Sequence, residues 1–220
     1  MGWANKLIGW SNSNGAEVNS DGALRVVDGG PAGNHYTFAA KTGTVGAAVA
    51  AGGAVFAMRL NPGSSKKAFV DSIKLRWTTI VAFTTPVTQT RSIVITRGAG
   101  AASSGGTALA VATKKDTVYP ISQFDAAAGG DARIASTGAL TVTGITWEAT
   151  NLGELTLVHV GAAGAYLEHT YEFAVRNHSV ELNPGELLGI RVGASAMDAA
   201  GTWSLGVEVS WREGTTDVEI

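Results

Sequence analysis

Residues 201–213, with the sequence G-T-W-S-L-G-V-E-V-S-W-R-E, decide the fold. Large apolar side chains occupy alternate positions, namely Trp203, Leu205, Val207, Val209 and Trp211. The positions between them carry serine, glycine, glutamate or arginine. Because neighbouring side chains of a strand point to opposite faces, this alternation predicts a half-buried strand with an indole at each end of its apolar face. Two tryptophans bury a large area, so we expect this strand to close the core.

The same alternation recurs upstream, most clearly at residues 69–83 and 166–175. Shorter strands are predicted between turn signals at residues 23–27, 35–40, 55–60, 89–96, 140–147, 155–160 and 187–192. The turns include Asn-Pro-Gly at residues 61–63 and again at 183–185. With about eight to ten strands and no sustained helical period, the chain is predicted to be all-β, an antiparallel β-sandwich of jelly-roll-like form.

Two regions depart from this pattern. Residues 1–15 form an N-terminal arm that carries four apolar residues, Trp3, Leu7, Ile8 and Trp10. Such an arm either folds back on its own domain or docks on another subunit. Residues 97–138 are rich in Gly, Ala and Ser, and we interpret them as a long, irregular surface insertion. Within it, residues 107–115 are predicted to form either a turn or a short helix. The rest, residues 16–220, is predicted to be a single β-sandwich domain.

Composition argues against several kinds of partner. The net charge is −2 and the 16 basic residues are scattered, adjacent only at Lys66-Lys67 and Lys114-Lys115, which argues against nucleic acid. The first 15 residues lack the apolar run of a secretory signal, and no apolar segment is long enough to span a bilayer, so we expect neither export by that route nor a membrane partner. Charged residues make up only 15% of the chain, which suits a protein that packs against neighbours.

No pattern for catalysis or metal binding is present in the sequence. The four histidines, His35, His159, His169 and His178, are never two or four apart, although a metal-binding jelly roll is expected to carry His-x-His. On a strand, Glu168 and Glu172 share a face from which His169 points away. There is no cysteine, no G-x-S-x-G motif, and no Gly-Lys-Ser/Thr after the glycine-rich run. We therefore expect no enzyme activity and no cofactor.

The six tryptophans allow either core packing or stacking on sugar rings. Trp77, Trp203 and Trp211 lie on apolar parities, so we expect them in the core. For Trp3, Trp10 and Trp147 the pattern leaves both interpretations open.

Three segments carry a family resemblance: A-E-V-N-S-D-G-A-L-R-V-V at residues 16–27, V-D-S-I-K-L-R-W at 70–77, and the stretch at 201–213. With them the chain resembles small virion structural proteins of tailed bacteriophages, in particular capsid decoration or cement proteins. The resemblance implies a jelly-roll protein made in the host cytoplasm and located on the virion. It would bind the major capsid protein on the outer face of the lattice and self-associate, with a trimer favoured.

The resemblance carries no family site over to individual residues, so the expected interface residues come from this chain: Trp3, Leu7, Ile8 and Trp10 of the arm, and the basic pair Lys66 and Lys67. Two rival functions remain at this point. One is a tail-fibre or receptor-binding sandwich that recognises a host surface glycan, and the other is a metal-dependent enzyme of jelly-roll type.

Overall fold

The computed structural model describes residues 16–18, 24–26, 34–46, 49–83, 91–111, 120–157, 162–174, 179–197 and 200–215. Regular structure within these ranges is almost entirely β-strand, and Ala126–Ala128 forms a 3-10 turn. Every strand pairing there is antiparallel, so the prediction of an antiparallel all-β fold is confirmed. The described ranges contain no helix that is long and apolar enough to cross a membrane.

A five-stranded sheet is built around the strand predicted from residues 201–213, which is β14 (Thr202–Gly214). β14 pairs with β3 (Asn34–Lys41) on one side and with β5 (Lys67–Val81) on the other. β11 (Tyr166–Glu172) and β12 (Val180–Leu182) follow one another along the far edge of β5. The order β11-β5-β14-β3 places the longest strands in the middle of this sheet.

The second sheet has seven strands. They are β4 (Ala54–Arg59), β6 (Arg91–Gly100), β7 (Thr107–Ala108), β8 (Asp131–Ile134), β9 (Ile145–Trp147), β10 (Gly153–Leu157) and β13 (Glu186–Val192). Their order is β10-β6-β13-β4-β8-β7, and β9 pairs with β6 beyond the end of β10. Apart from both sheets, β1 (Ala16–Val18) and β2 (Leu24–Val26) pair with each other.

The two sheets pack face to face around one apolar core, which makes the fold a sandwich. The five alternating apolar residues of β14 are all fully buried, as predicted. At one end of β14, Trp203 stacks on Trp77, with ring centroids 4.3 Å apart. At the other end, Trp211 packs against Tyr36 at 5.4 Å and Phe124 at 5.5 Å. The prediction that Trp77, Trp203 and Trp211 belong to the core is confirmed.

Both predicted Asn-Pro-Gly turns are formed. The amide of Ser64 donates to the carbonyl of Asn61 at 3.0 Å, and the amide of Glu186 donates to the carbonyl of Asn183 at 2.9 Å. Gly185 has a φ of +84°, a conformation that side chains with a Cβ avoid. These turns connect the two sheets at one end of the sandwich, between β4 and β5 and between β12 and β13.

The prediction that residues 97–138 form an irregular insertion was wrong for part of that region. β6 continues to Gly100, and β8 pairs with β4 inside the seven-stranded sheet. Thr107–Ala108 forms β7 and not the short helix that the sequence allows. β8 was missed because its four residues, Asp131–Ile134, complete only two alternations of burial, too few for periodicity to separate a strand from a loop.

The strand predicted at residues 140–147 is also shorter than expected. Only Ile145–Trp147 is strand, and it pairs with the end of β6. Before it, Leu140 and Val142 pack over Ala54 and Ala57 on the outer face of the seven-stranded sheet. Leu140 and Val142 are therefore apolar because they cover these alanines, and not because they belong to a strand.

Candidate interaction surface

The chain enters and leaves the sandwich at the same end. Glu213 of β14 lies opposite Asn34, the first residue of β3, and Gly214 lies opposite Lys67, the first residue of β5. The segment 120–130 and the turn at 61–64 also lie at this end. They are joined by a hydrogen bond from the backbone N–H of Asn61 to the backbone carbonyl of Gln123, at 2.9 Å. We call this region the clamped end, defined by the segment 120–130, the turn at 61–64, Lys66, Lys67 and Glu213.

The clamped end is organised by a buried carboxylate. Glu213 is 1% exposed, and its Oε1 accepts hydrogen bonds from the Ser122 hydroxyl at 2.6 Å, the Gln123 amide at 2.9 Å and the Trp211 indole N–H at 3.1 Å. Burial raises the pKa of Glu213 above its usual value, and the hydrogen bonds together with the charge of Lys66 oppose that shift. Two of these donors, Ser122 and Gln123, fix the segment 120–130 to the end of β14.

Further contacts hold the same segment from both sides. The Tyr36 hydroxyl donates to the carbonyl of Pro120 at 2.9 Å, and Phe124 packs edge-on against Trp211. Asp125 accepts from the amide of Ala127 at 2.8 Å and caps the 3-10 turn. Asn61 reaches over the turn, with its Nδ2 donating to the carbonyl of Ala128 at 2.6 Å. The segment is thus a loop by secondary structure but is fixed at many points.

Ile121 is the residue that this framework exposes. Its side chain is 43% exposed, although Pro120 before it and Ser122 after it are both hydrogen-bonded to the sandwich. Because the backbone on both sides of Ile121 is fixed, a partner that covers this side chain does not have to order the segment. Ile121 therefore has the properties of an anchor residue for a protein partner.

The structure places two of the six predicted interface residues at this end. Lys66 lies close enough to Glu213 for its charge to influence the carboxyl, and its amide donates to the Ser64 hydroxyl at 2.9 Å. Lys67 forms an ion pair with Glu181, with Nζ and Oε1 2.5 Å apart. The arm residues Trp3, Leu7, Ile8 and Trp10 lie outside the described residues. The basic pair therefore lies at the clamped end, next to the end of β14 that holds Glu213.

A second polar surface is the outer face of the five-stranded sheet. There, Glu168 lies 2.5 Å from the Lys74 ammonium and 2.9 Å from the Arg76 guanidinium, and Arg76 also lies 3.0 Å from Glu208. The Tyr166 hydroxyl donates a further hydrogen bond to Glu168. Two cations and two anions balance one another, so this network does not create a charged patch. These contacts lower the pKa of Glu168 to about 2. The hydrogen bond from Lys74 contributes most, and those from Tyr166 and Arg76 add to the shift.

This pKa predicts an acid-sensitive contribution to stability. Because the pKa of Glu168 is about 2 when folded and 4.5 ordinarily, its ionised form favours the folded state above pH 4.5, and that contribution is lost as the pH falls towards 2. We expect urea midpoints of the wild type and Glu168→Gln to differ at neutral pH and to converge between these values. Glu172→Gln is the matched control on the same face of β11. A constant difference between wild type and Glu168→Gln down to the lower pH would contradict the assignment.

The histidines and carboxylates of the chain are the possible metal ligands. Among the described residues, no group of three or more His, Asp or Glu side chains is placed to hold a metal ion. Glu168 and Glu172 lie opposite Arg76 and Ser72, while His169 lies opposite the core residue Leu75, so the predicted separation of faces is confirmed.

Trp147, which the sequence left open, lies on the outer face of the seven-stranded sheet. Its benzo ring covers the backbone of Gly98 and Gly189, where an added Cβ would stand 2.7 and 2.4 Å from ring atoms. The Arg191 guanidinium lies over the same ring system, 4.9 Å from its centroid. Trp147 thus acts as a packing residue for two glycines, with a cation above it.

No family model matches the chain, and no curated protein matches its sequence.

Sequence reasoning missed Ile121 and Glu213. Ile121 falls in the region interpreted as an irregular insertion, where one isoleucine carries no periodic signal. Glu213 did offer a signal, because it has the parity of Trp203 to Trp211 and thus points to the core side. A carboxylate at a core position of a strand indicates a buried, hydrogen-bonded group.

Proposed function

We propose that this protein is a non-enzymatic virion structural protein that binds the outside of a phage capsid lattice and stabilises it. The observation that carries the proposal is Ile121, exposed on a fixed backbone at the clamped end, to which Lys66 and Lys67 also belong. An exposed apolar residue at the same end as the Lys66 ammonium suits a protein surface with an apolar pocket and an acidic rim. The major capsid protein is the partner proposed for it.

The order of the strands supports the jelly-roll part of this proposal. One sheet holds β3, β14, β5 and β11, and the other holds β4, β13, β6 and β10. Between successive long strands the chain crosses from one sheet to the other, except from β6 to β10. Two sheets of four long strands linked in this way suit a double-sheet jelly roll.

Attachment to a lattice requires many equal contacts and no chemical step. Self-association of the protein, with a trimer favoured, would let one oligomer bind several capsid subunits together. Its second and third contacts are then intramolecular, so that modest individual affinities give a firmly held shell. The apolar arm with Trp3, Leu7, Ile8 and Trp10 is proposed to take part, because the chain leads from it into β3 at the clamped end.

The proposal is tested by binding to capsids that lack the protein. We expect Ile121→Asp to weaken binding by at least about tenfold, because it puts a charge where an apolar anchor is buried. Ile80→Asp is the matched control, since Ile80 is similarly exposed, at 41%, but lies near the far end of β5. Cosedimentation with capsids measures both variants. If Ile121→Asp and the wild type bind capsids equally well, the clamped end does not contribute to capsid binding.

Location in the particle tests the proposal as a whole. Labelled protein is expected over the capsid surface, and capsids without it are expected to lose integrity at lower temperature. Label confined to the tail would contradict the capsid assignment. It would favour the alternative of a tail-fibre or receptor-binding sandwich, for which a polar cleft on the seven-stranded sheet is the supporting observation.

A further inference from the structure

The outer face of the seven-stranded sheet contains a cleft of about 530 Å³. Val94 of β6 lies directly between Arg191 of β13 and Glu154 of β10, because both are its partners in register. The cleft is lined by these three residues and by Ser92, Asn151 and Ser195, among others. Its volume falls within the range typical of sites for small molecules, about 300–1,000 Å³.

Arg191 is held in place but has no counterion. Its Nε donates to the carbonyl of Gly52 at 2.9 Å, and its guanidinium lies over the ring of Trp147. Among the described residues it forms no ion pair. Partial burial lowers the pKa of Arg191. A guanidinium that is positioned, partly desolvated and uncompensated is well suited to bind an anionic group, above all a carboxylate with two parallel oxygens.

The opposite wall carries an acceptor that is also uncommitted. Within the described part of the chain, Glu154 forms no ion pair, whereas the neighbouring Glu148 is paired with Arg97 at 2.7 Å. Arg191 and Glu154 stand two strands apart, which places their backbones about 10 Å from each other. The free cation and the free anion are thus on facing walls, with Val94 and Ser92 between them, both nearly buried.

We propose that this cleft binds a carboxylated sugar of the hexuronic acid type. Arg191 would pair with the sugar carboxylate, Glu154 would accept hydrogen bonds from hydroxyls, and Asn151, Ser92 and Ser195 would each donate and accept. A neutral sugar leaves Arg191 without its counterion. An amino acid satisfies both charges but leaves the amide and hydroxyl groups of the cleft without partners. The proposal does not require the protein to bind capsids through Ile121.

The test is a titration of the full chain, followed by NMR chemical shifts, with D-glucuronate, glucose and glutamate as the three probes. We expect glucuronate to bind with a dissociation constant on the order of 1 mM and glucose to bind at least about tenfold more weakly. Arg191→Lys keeps the charge but loses the planar fork, and it is expected to weaken glucuronate binding about tenfold. Arg133→Lys is the matched control, because Arg133 lies on the same sheet outside the cleft and pairs with Asp131.

A second variant covers the case that Arg191→Lys perturbs folding. Asn151 is exposed on the loop before β10, so Asn151→Ala is expected to keep the fold and to weaken glucuronate binding about threefold through one lost hydrogen bond. Three results would overturn the proposal: no binding of glucuronate, glucose binding as tightly as glucuronate, or glutamate binding more tightly than both. None of these results bears on binding to capsids through Ile121, so the two proposals fail separately.

Discussion

Replacing Glu213 with alanine is expected to lower the free energy of unfolding by about 3 kcal/mol. The carboxylate accepts hydrogen bonds from Ser122, Gln123 and the indole of Trp211, and its removal leaves three donors unsatisfied at about 1 kcal/mol each. Urea unfolding measures the loss. Glu172→Ala, at an exposed position of β11, is expected to change the stability by less than about 0.5 kcal/mol. A loss in Glu213→Ala no larger than in this control would show that the clamp is not a stabilising contact.

The isosteric variant Glu213→Gln separates the hydrogen bonds from the charge. Because burial raises the folded pKa of Glu213 above 4.5, its stabilising contribution is complete below the unfolded pKa and declines as the pH rises through the folded value. Glutamine keeps an acceptor oxygen and does not ionise. We therefore expect the wild type to lose stability relative to Glu213→Gln as the pH rises above 4.5. A difference that is independent of pH would contradict the raised pKa.

Trp77→Ala is expected to lower the free energy of unfolding by about 3–5 kcal/mol, the range for removal of a large core aromatic. Trp77 of β5 is fully buried and stacks on Trp203 of the neighbouring strand β14. Alanine at position 77 therefore removes one of the two rings of this stack. Native domains are stable by only about 5–15 kcal/mol. This one substitution is thus expected to bring the sandwich close to its limit, and urea or thermal unfolding measures it.

Two further variants make the Trp77 result specific. Trp77→Phe keeps an aromatic ring in the stack and is expected to lose less than half as much stability as Trp77→Ala. Thr78→Ala changes the next residue, which faces outward opposite Tyr166, and is expected to be nearly neutral. Similar losses for Trp77→Ala and Thr78→Ala would mean that the stacked pair does not contribute more than an ordinary surface position.

The long strands were predictable because each contains several full alternations of burial. β14 and β5 show apolar and polar residues on opposite faces over many positions, and three tryptophans on the apolar parity went to the core. β8 and β12 have four and three residues, which is too short for the period to be visible. The order of strands in each sheet depends on pairings between distant segments, such as β3 with β14, and no local pattern encodes those.

The candidate surfaces were less predictable than the fold. Lys66 and Lys67 stand out as an adjacent basic pair, but Ile121, at the same end, owes its fixed position to Glu213, 91 residues further along than Ser122. The cleft is equally non-local, since Arg191 and Glu154 come from different strands and meet across β6. In both cases the sequence shows the residue types. It does not show that these residues lie close together in the folded protein.

The common entry and exit point of the chain decides where a reporter group can be attached. A fluorescent domain fused after β14 would emerge at Gly214, beside Ile121, and would obstruct the surface whose binding it is meant to report. Ala163, in the turn before β11, is exposed and lies at the other end of β5, roughly 40 Å away along the strand. A small dye at that turn would leave the clamped end free, and comparing the two placements would itself reveal which end faces a partner.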